Sequence, residues 1–220
     1  FGYMNRARGN YSSAFGYSNM ASGVRSSAFG YSNTASGDHS SAFGYETTAS
    51  GTGATAFGGW ADLDADGLLG PGETATASGT SAVALGAATR AAGAQSLAVG
   101  VNSSADGDES TALGVRSIAS HLQSTAVGYR NQSTGSQGSN AVGFFNSATR
   151  NFSSAFGAGN FATGDSSSAF GQGNVASGDR SSAFGYQSIA SGFGAVALGG
   201  WRDLNGNGLV DEGEGAIASG

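Results

Sequence analysis

The sequence predicts an all-β protein, a parallel β-roll (β-solenoid) built from stacked 14-residue repeats. An Ala-Φ-Gly triplet, in which Φ is Phe, Leu or Val, recurs at this spacing, and an Ala-Ser-Gly triplet or a close variant follows each Φ by six residues. Just over half of the 220 residues are Gly, Ala or Ser, which leaves too few large side chains for a compact core of ordinary thickness. A helical fold is disfavoured because each Gly in a helix interior costs up to about 1 kcal/mol.

The Φ residue marks each unit of the repeat. The spacing is 14 residues except between Phe57 and Leu85, where it is 28, and between Val127 and Val142, where it is 15. A fixed period of this length is the signature of a stacked architecture. The Φ positions after the truncated first copy at Phe1 are Phe15, Phe29, Phe43, Phe57, Leu85, Val99, Leu113, Val127, Val142, Phe156, Phe170, Phe184 and Leu198.

The residue pattern of each 14-residue repeat predicts two short strands joined by turns at the glycines. Glycine adopts positive φ without steric cost. The two-residue period of a strand places Phe15 on one face and Ala14 on the other. We predict that the Phe side chains fill the roll and that the small Ala side chains form an apolar outer face. Such a face is rarely left in water, so it predicts association between chains.

Composition and charge exclude several classes of function. The nine cationic side chains are all Arg, so no Lys-rich, basic nucleic-acid-binding face is expected. No apolar run approaches the roughly 20 residues that span a bilayer, so this segment is not expected to insert in a membrane. The many serines have no recurring His or Asp companion, so we expect no enzyme. The first residue is Phe1, which indicates a fragment of a longer polypeptide.

Two insertions, 59–76 and 200–217, interrupt the repeat, and each contains a twelve-residue window that follows the EF-hand calcium-loop pattern. Calcium prefers six to eight oxygen ligands, which such loops supply from positions 1, 3, 5, 7, 9 and 12. These windows also contain eight of the fifteen acidic residues. We therefore predict two structural Ca²⁺ ions per chain, with a purely acidic loop as the alternative. The ligands in the first loop are Asp62, Asp64, Asp66, the Leu68 carbonyl, a water at Gly70, and Glu73. Those in the second are Asp203, Asn205, Asn207, the Leu209 carbonyl, Asp211 and Glu214.

The repeat unit itself resembles a known family. Residues 26–37 and 181–192 read S-S-A-F-G-Y-x-x-x-A-S-G, which is similar to the head repeats of YadA-type trimeric autotransporter adhesins. The resemblance implies a left-handed roll in a parallel homotrimer, carried on a stalk and displayed at the cell surface from the outer membrane of a Gram-negative bacterium. We expect residues 1–220 to form a single head-repeat domain.

The resemblance also implies a function, which is attachment to host cells through an extracellular matrix protein or a surface glycan. Collagen is a possible ligand because collagen-binding heads of the family carry N-S-V-A-I-G. The nearest strings, 81–86 and 194–199, are not identical to that motif, and because this stretch is also a strand of the repeat, packing alone is the favoured explanation. Two other functions stay open: a monomeric β-solenoid such as an ice-binding protein, and a passive spacer within an adhesin.

Two histidines, His39 and His121, are the only ones in the chain. His121 stands where most units carry the Gly of the second triplet. Because His is enriched among residues with positive φ, we predict a turn role for it instead of a metal-ligand role.

Overall fold

The computed structural model describes residues 1–200 and 215–220. The chain divides into two compact units, Phe1–Ser117 and Ile118–Gly220. Every regular element in the described ranges is a β-strand, and none of these residues forms a helix long and apolar enough to cross a membrane.

The first unit contains fifteen strands, in which longer and two-residue strands alternate after β1. They are β1 Gly2–Tyr3, β2 Arg6–Ala7, β3 Ser13–Tyr17, β4 Met20–Ala21, β5 Ser27–Tyr31, β6 Thr34–Ala35, β7 Ser41–Tyr45, β8 Thr48–Ala49, β9 Thr55–Gly58, β10 Thr76–Ala77, β11 Val83–Ala87, β12 Arg90–Ala91, β13 Leu97–Val101, β14 Ser104–Ala105 and β15 Thr111–Val115.

The described part of the second unit, 118–200 and 215–220, contains thirteen strands with the same alternation. They are β16 Ile118–Ala119, β17 Thr125–Tyr129, β18 Gln132–Ser133, β19 Asn140–Phe144, β20 Ser147–Ala148, β21 Ser154–Ala158, β22 Phe161–Ala162, β23 Ser168–Gln172, β24 Val175–Ala176, β25 Ser182–Tyr186, β26 Ile189–Ala190, β27 Val196–Gly199 and β28 Ile217–Ala218.

Within each unit the longer strands pair in parallel with one another, and the two-residue strands form a second parallel sheet. The register follows the repeat, so that Phe29 pairs with Phe43 in the next coil. The first insertion leaves this register intact, because Phe57 pairs with Leu85. The predicted all-β parallel solenoid with two short strands in each repeat is confirmed, and the second of these strands has two residues throughout the described coils.

The predicted assignment of the two strand faces was wrong. Ala28 and Ala35 are 0% exposed, whereas Phe15 is 43% exposed. In the second unit the Ala residues of the longer and the two-residue strands form one buried cluster. Among the described residues the buried apolar side chains are all Ala, which indicates that the two sheets of a 14-residue coil enclose too little space for a ring. The Φ side chains therefore face outward.

The glycine of the second triplet has a different role from the one predicted. Gly23 does not have positive φ; instead, a Cβ there would overlap the carbonyl oxygen of Gly37 in the next coil. Left-handed backbone falls mainly at other positions, such as Ser18 and His39. His121 does not have positive φ, so the predicted reason for its turn role was wrong. Its backbone N–H donates a hydrogen bond to the Ser124 hydroxyl at 3.2 Å.

A ladder of buried asparagines connects successive coils, and the sequence analysis missed it. Asn160 donates from Nδ2 to the carbonyl of Phe156 at 2.9 Å and to that of Gly171 at 2.8 Å. Its Oδ1 accepts hydrogen bonds from the backbone N–H and from Nδ2 of Asn174. The available signal was an Asn four residues after Φ in several units. The amide thus uses both its donors and its acceptor to tie its own coil to the next.

Replacing Asn160 with Ala is expected to lower the free energy of unfolding by more than about 2 kcal/mol, because buried groups left without a partner cost about 1–3 kcal/mol each. The affected groups are two carbonyls and the Asn174 N–H. Thermal unfolding followed by circular dichroism measures the effect. Asn10→Ala, in an exposed turn, is the control; equal stability of the two variants would contradict a structural role for the ladder.

Candidate functional site

In each of the two compact units, the outward Φ side chains of successive coils form a continuous apolar stripe, here called the outward ladder. In the second unit the rings of Phe156 and Phe170 stack at 4.9 Å, and those of Phe170 and Phe184 at 5.2 Å. The first unit has the same arrangement, with Phe15 and Phe29 at 4.9 Å. Stacked rings at this spacing give a flat apolar surface of the kind that mediates protein association.

A second aromatic row lies two residues along the same strands. Tyr3, Tyr17, Tyr31 and Tyr45 stack with ring-centroid distances of 5.3, 5.0 and 4.9 Å. All four are exposed. Desolvation raises the pKa of the Tyr45 hydroxyl, and Glu46 and Tyr31 raise that pKa further. A tyrosine hydroxyl is already neutral at physiological pH, and this shift is in the same direction, so Tyr45 adds no charge beside the outward ladder.

Three of the predicted calcium ligands come together in the first insertion. Carboxylate oxygens of Asp62, Asp64 and Asp66 lie within 4.8 Å of one another, and all three residues are exposed. Asp62 accepts a hydrogen bond from the N–H of Gly67 at 2.9 Å, and Gly67 has a φ of 73°. The left-handed glycine lets the chain turn sharply, which aims the three side chains at a common point.

Glu73, the predicted bidentate ligand, is 2% exposed and has other partners. Its Oε1 accepts from the N–H of Leu63 at 2.7 Å, and its Oε2 accepts from the N–H of Gly70 at 2.5 Å. Its carbonyl also accepts from the N–H of Ala61 at 2.9 Å. Glu73 therefore closes the neck of the loop. Leu68 is exposed and Gly70 is half-buried in the same loop.

The ligands predicted for the second loop lie outside the described residues. These are Asp203, Asn205, Asn207, Leu209, Asp211 and Glu214. The second calcium site therefore stays a prediction.

The repeats of this chain match a known protein family. A model of the YadA head domain repeat (2 copies) matches more than half of the chain. The chain belongs to this family. The matched residues are 21–47, 35–61, 72–89, 77–103, 91–117, 105–131 and 162–188. No curated protein matches the chain in sequence.

Most of the first acidic loop lies outside the YadA head repeat. The matched ranges stop at residue 61 and resume at residue 72, so Asp62, Asp64 and Asp66 are additions to the repeat. Their side chains are exposed and accept hydrogen bonds from N–H groups of the loop itself, which points to a separate role for the insertion.

The two strings that come nearest to the collagen-associated motif lie on longer strands of the roll. Val83 and Leu85 lie half-buried on the outward face of β11, and Val196 and Leu198 are exposed on β27. Each pair occupies the place that Ser and Phe occupy in other coils.

Proposed function

We propose that this chain is the head of a trimeric autotransporter adhesin, a left-handed roll assembled as a parallel homotrimer and displayed from the outer membrane of a Gram-negative bacterium. Its role is binding, not catalysis, with a host matrix protein or surface glycan as ligand and collagen among the candidates. Membership of the YadA head repeat family supports this role. The single observation that carries it is the outward ladder, which a monomer would leave in water.

The energetic case for the trimer comes from the outward ladder. Burying one Phe side chain contributes about 1.5–3 kcal/mol. Phe156, Phe170 and Phe184 are half-buried in the single chain and still have apolar area to lose. In a parallel trimer, equivalent coils meet around one axis, so each ladder covers the others along its length. This favours the adhesin head over a monomeric solenoid.

Attachment is tested with the purified head on immobilised matrix proteins and cultured host cells. We expect the head to bind these surfaces more tightly than a single contact would allow. Three chains of repeated coils present each weak contact many times, and the contacts act together. A head that folds and trimerises but adheres to no host component would contradict the adhesin role and favour the spacer.

We further propose that both acidic loops bind calcium for structural support. In the first loop, oxygens of three exposed carboxylates lie within 4.8 Å of one another. The negative charges repel one another at this distance unless a cation is present. Hard oxygen ligands at this spacing suit Ca²⁺. Asp62, Asp64 and Asp66 would hold the ion, and the hydrogen bonds of Glu73 would keep the neck of the loop closed around it.

Asp64→Asn is expected to weaken calcium binding at the first loop by about tenfold, because one carboxylate of the cluster becomes a neutral amide. Calorimetric titration of chelator-treated head measures the effect, with dissociation constants of about 10⁻⁴–10⁻³ M expected for an extracellular module. Comparing Asp203→Asn alone with the double variant Asp203→Asn and Asp64→Asn isolates the contribution of the first site. Asp165→Asn, at an exposed corner of another coil, is the matched control. Absence of binding heat in the unmodified head up to about 10 mM calcium would leave only an acidic loop.

A further inference from the structure

One cluster in the second unit departs from the repeat. The residue that follows most of the longer strands, here called the post-strand position, has left-handed backbone and is commonly small or polar, as at Ser18 and Ser32. In the coil after β19 it is Phe145, with a φ of 55°. A bulky side chain is disfavoured in this backbone region, and such positions concentrate at functional sites.

Phe145 completes an aromatic group. Its ring packs edge-on against Phe144 at 4.6 Å and against Tyr129 at 5.6 Å. The guanidinium of Arg130 lies 5.4 Å from the Tyr129 ring centroid and 5.2 Å from that of Phe145. The Phe145 ring is 40% exposed, so it stands as a wall above the neighbouring coils.

The next two coils leave an open floor beside this wall. Their post-strand residues are Gly159 and Gly173, and a Cβ added at Gly159 would meet no atom within 4 Å. The result is a groove of about 270 Å³, rimmed by the amide side chains of Gln172 and Gln187. An aromatic wall, a backbone floor and amide groups at the rim can hold a sugar ring through its C–H face and its hydroxyls.

A second groove lies on the other side of Phe145. It has a volume of about 250 Å³ and is lined by Arg130, Gln132, Ser147 and Phe161, among others. Arg130 is the charged residue of the two linings, and no carboxylate of the described residues forms a salt bridge with it. Because its flat faces are turned to aromatic rings, the N–H edges of its guanidinium are available to a planar anion.

We propose that the two grooves around Phe145 form a binding site for an oligosaccharide that carries a single carboxylate sugar. The carboxylate pairs with Arg130, and the adjoining neutral sugar packs on Phe145 above Gly159 and Gly173. A sulfated polyanion fits less well, because one cation faces it and the chain has a net charge of −6. This site rests on the proposed adhesin function and locates its ligand.

The test titrates the whole trimeric head with 3′-sialyllactose, lactose and a heparin hexasaccharide, observed by protein NMR. We expect 3′-sialyllactose to bind at least tenfold more tightly than lactose, since hydrogen bonds to charged groups contribute about 1.5–3 kcal/mol. Arg130→Gln is expected to abolish this difference. Gly159→Asn is expected to weaken both lactose-based ligands by about tenfold by filling the floor.

Gly159→Asn is chosen because Asn102 occupies the same post-strand position with a φ of 52°, so the substitution suits the backbone. Ser18→Asn makes the matching change in the first unit and is expected to leave binding unaltered. Equal affinity for 3′-sialyllactose and lactose, or tighter binding of heparin, would overturn the proposal. So would a change in molar mass caused by Gly159→Asn, because the groove would then be a contact between chains. Failure of the head to adhere to any host cell counts against the adhesin function and not against the sugar site.

Discussion

Gly178→Ala is expected to destabilise the second unit by about 3 kcal/mol, because overpacking that displaces backbone typically costs up to about this much. A Cβ at Gly178 would overlap the carbonyl oxygen of Gly192 in the next coil and lie 2.8 Å from that of Ser191. Both obstacles are backbone atoms, so the coils would have to separate at β24 and β26. The melting temperature is expected to fall by about 6–12 °C, given about 2–4 °C per kcal/mol in chains of this size.

Gly59→Ala is the matched control for this change. Gly59 has no atom within 4 Å of an added Cβ and does not have positive φ. We expect its melting temperature to stay close to that of the unmodified head. If Gly178→Ala and Gly59→Ala have the same melting temperature, close approach of the coils is not the reason for glycine in the second triplet.

Phe170→Glu is expected to convert the head from a trimer to a monomer at micromolar concentration. Phe170 stacks between Phe156 and Phe184 in the middle of an outward ladder. A carboxylate there would be buried in each of three chains without a partner, at a cost of several kcal/mol per chain. Light scattering measures the molar mass, and circular dichroism establishes that the roll remains folded.

Ile189→Glu provides the matched control for the ladder. It adds the same charge in place of an apolar residue, but on a two-residue strand in the other sheet, where Ile189 is 38% exposed. We expect this variant to remain a trimer. A monomeric unmodified head, or a trimer that Phe170→Glu leaves intact, would contradict the proposed assembly surface.

The candidate sites differ in how far the sequence predicts them. The spacing of Asp62, Asp64 and Asp66 was sufficient to predict that their carboxylates lie close together, because a short turn brings alternate side chains together. The partners of Glu73 were not predictable, since its hydrogen bonds to Leu63 and Gly70 depend on how the loop closes. The grooves around Phe145 were also missed, because they arise from post-strand residues 14 positions apart that only stacking makes neighbours.

The sequence by itself determined the stacked parallel architecture, because a constant 14-residue period permits one register, in which Phe29 pairs with Phe43. It also predicted the place where the first insertion leaves the roll. Only the tertiary structure decided which strand face is buried. Alternation separates Ala28 from Phe29 but does not say which of them points inward. The narrow gap between the two sheets admits a methyl group and excludes a ring, so the larger apolar side chains face outward, where a partner chain can cover them.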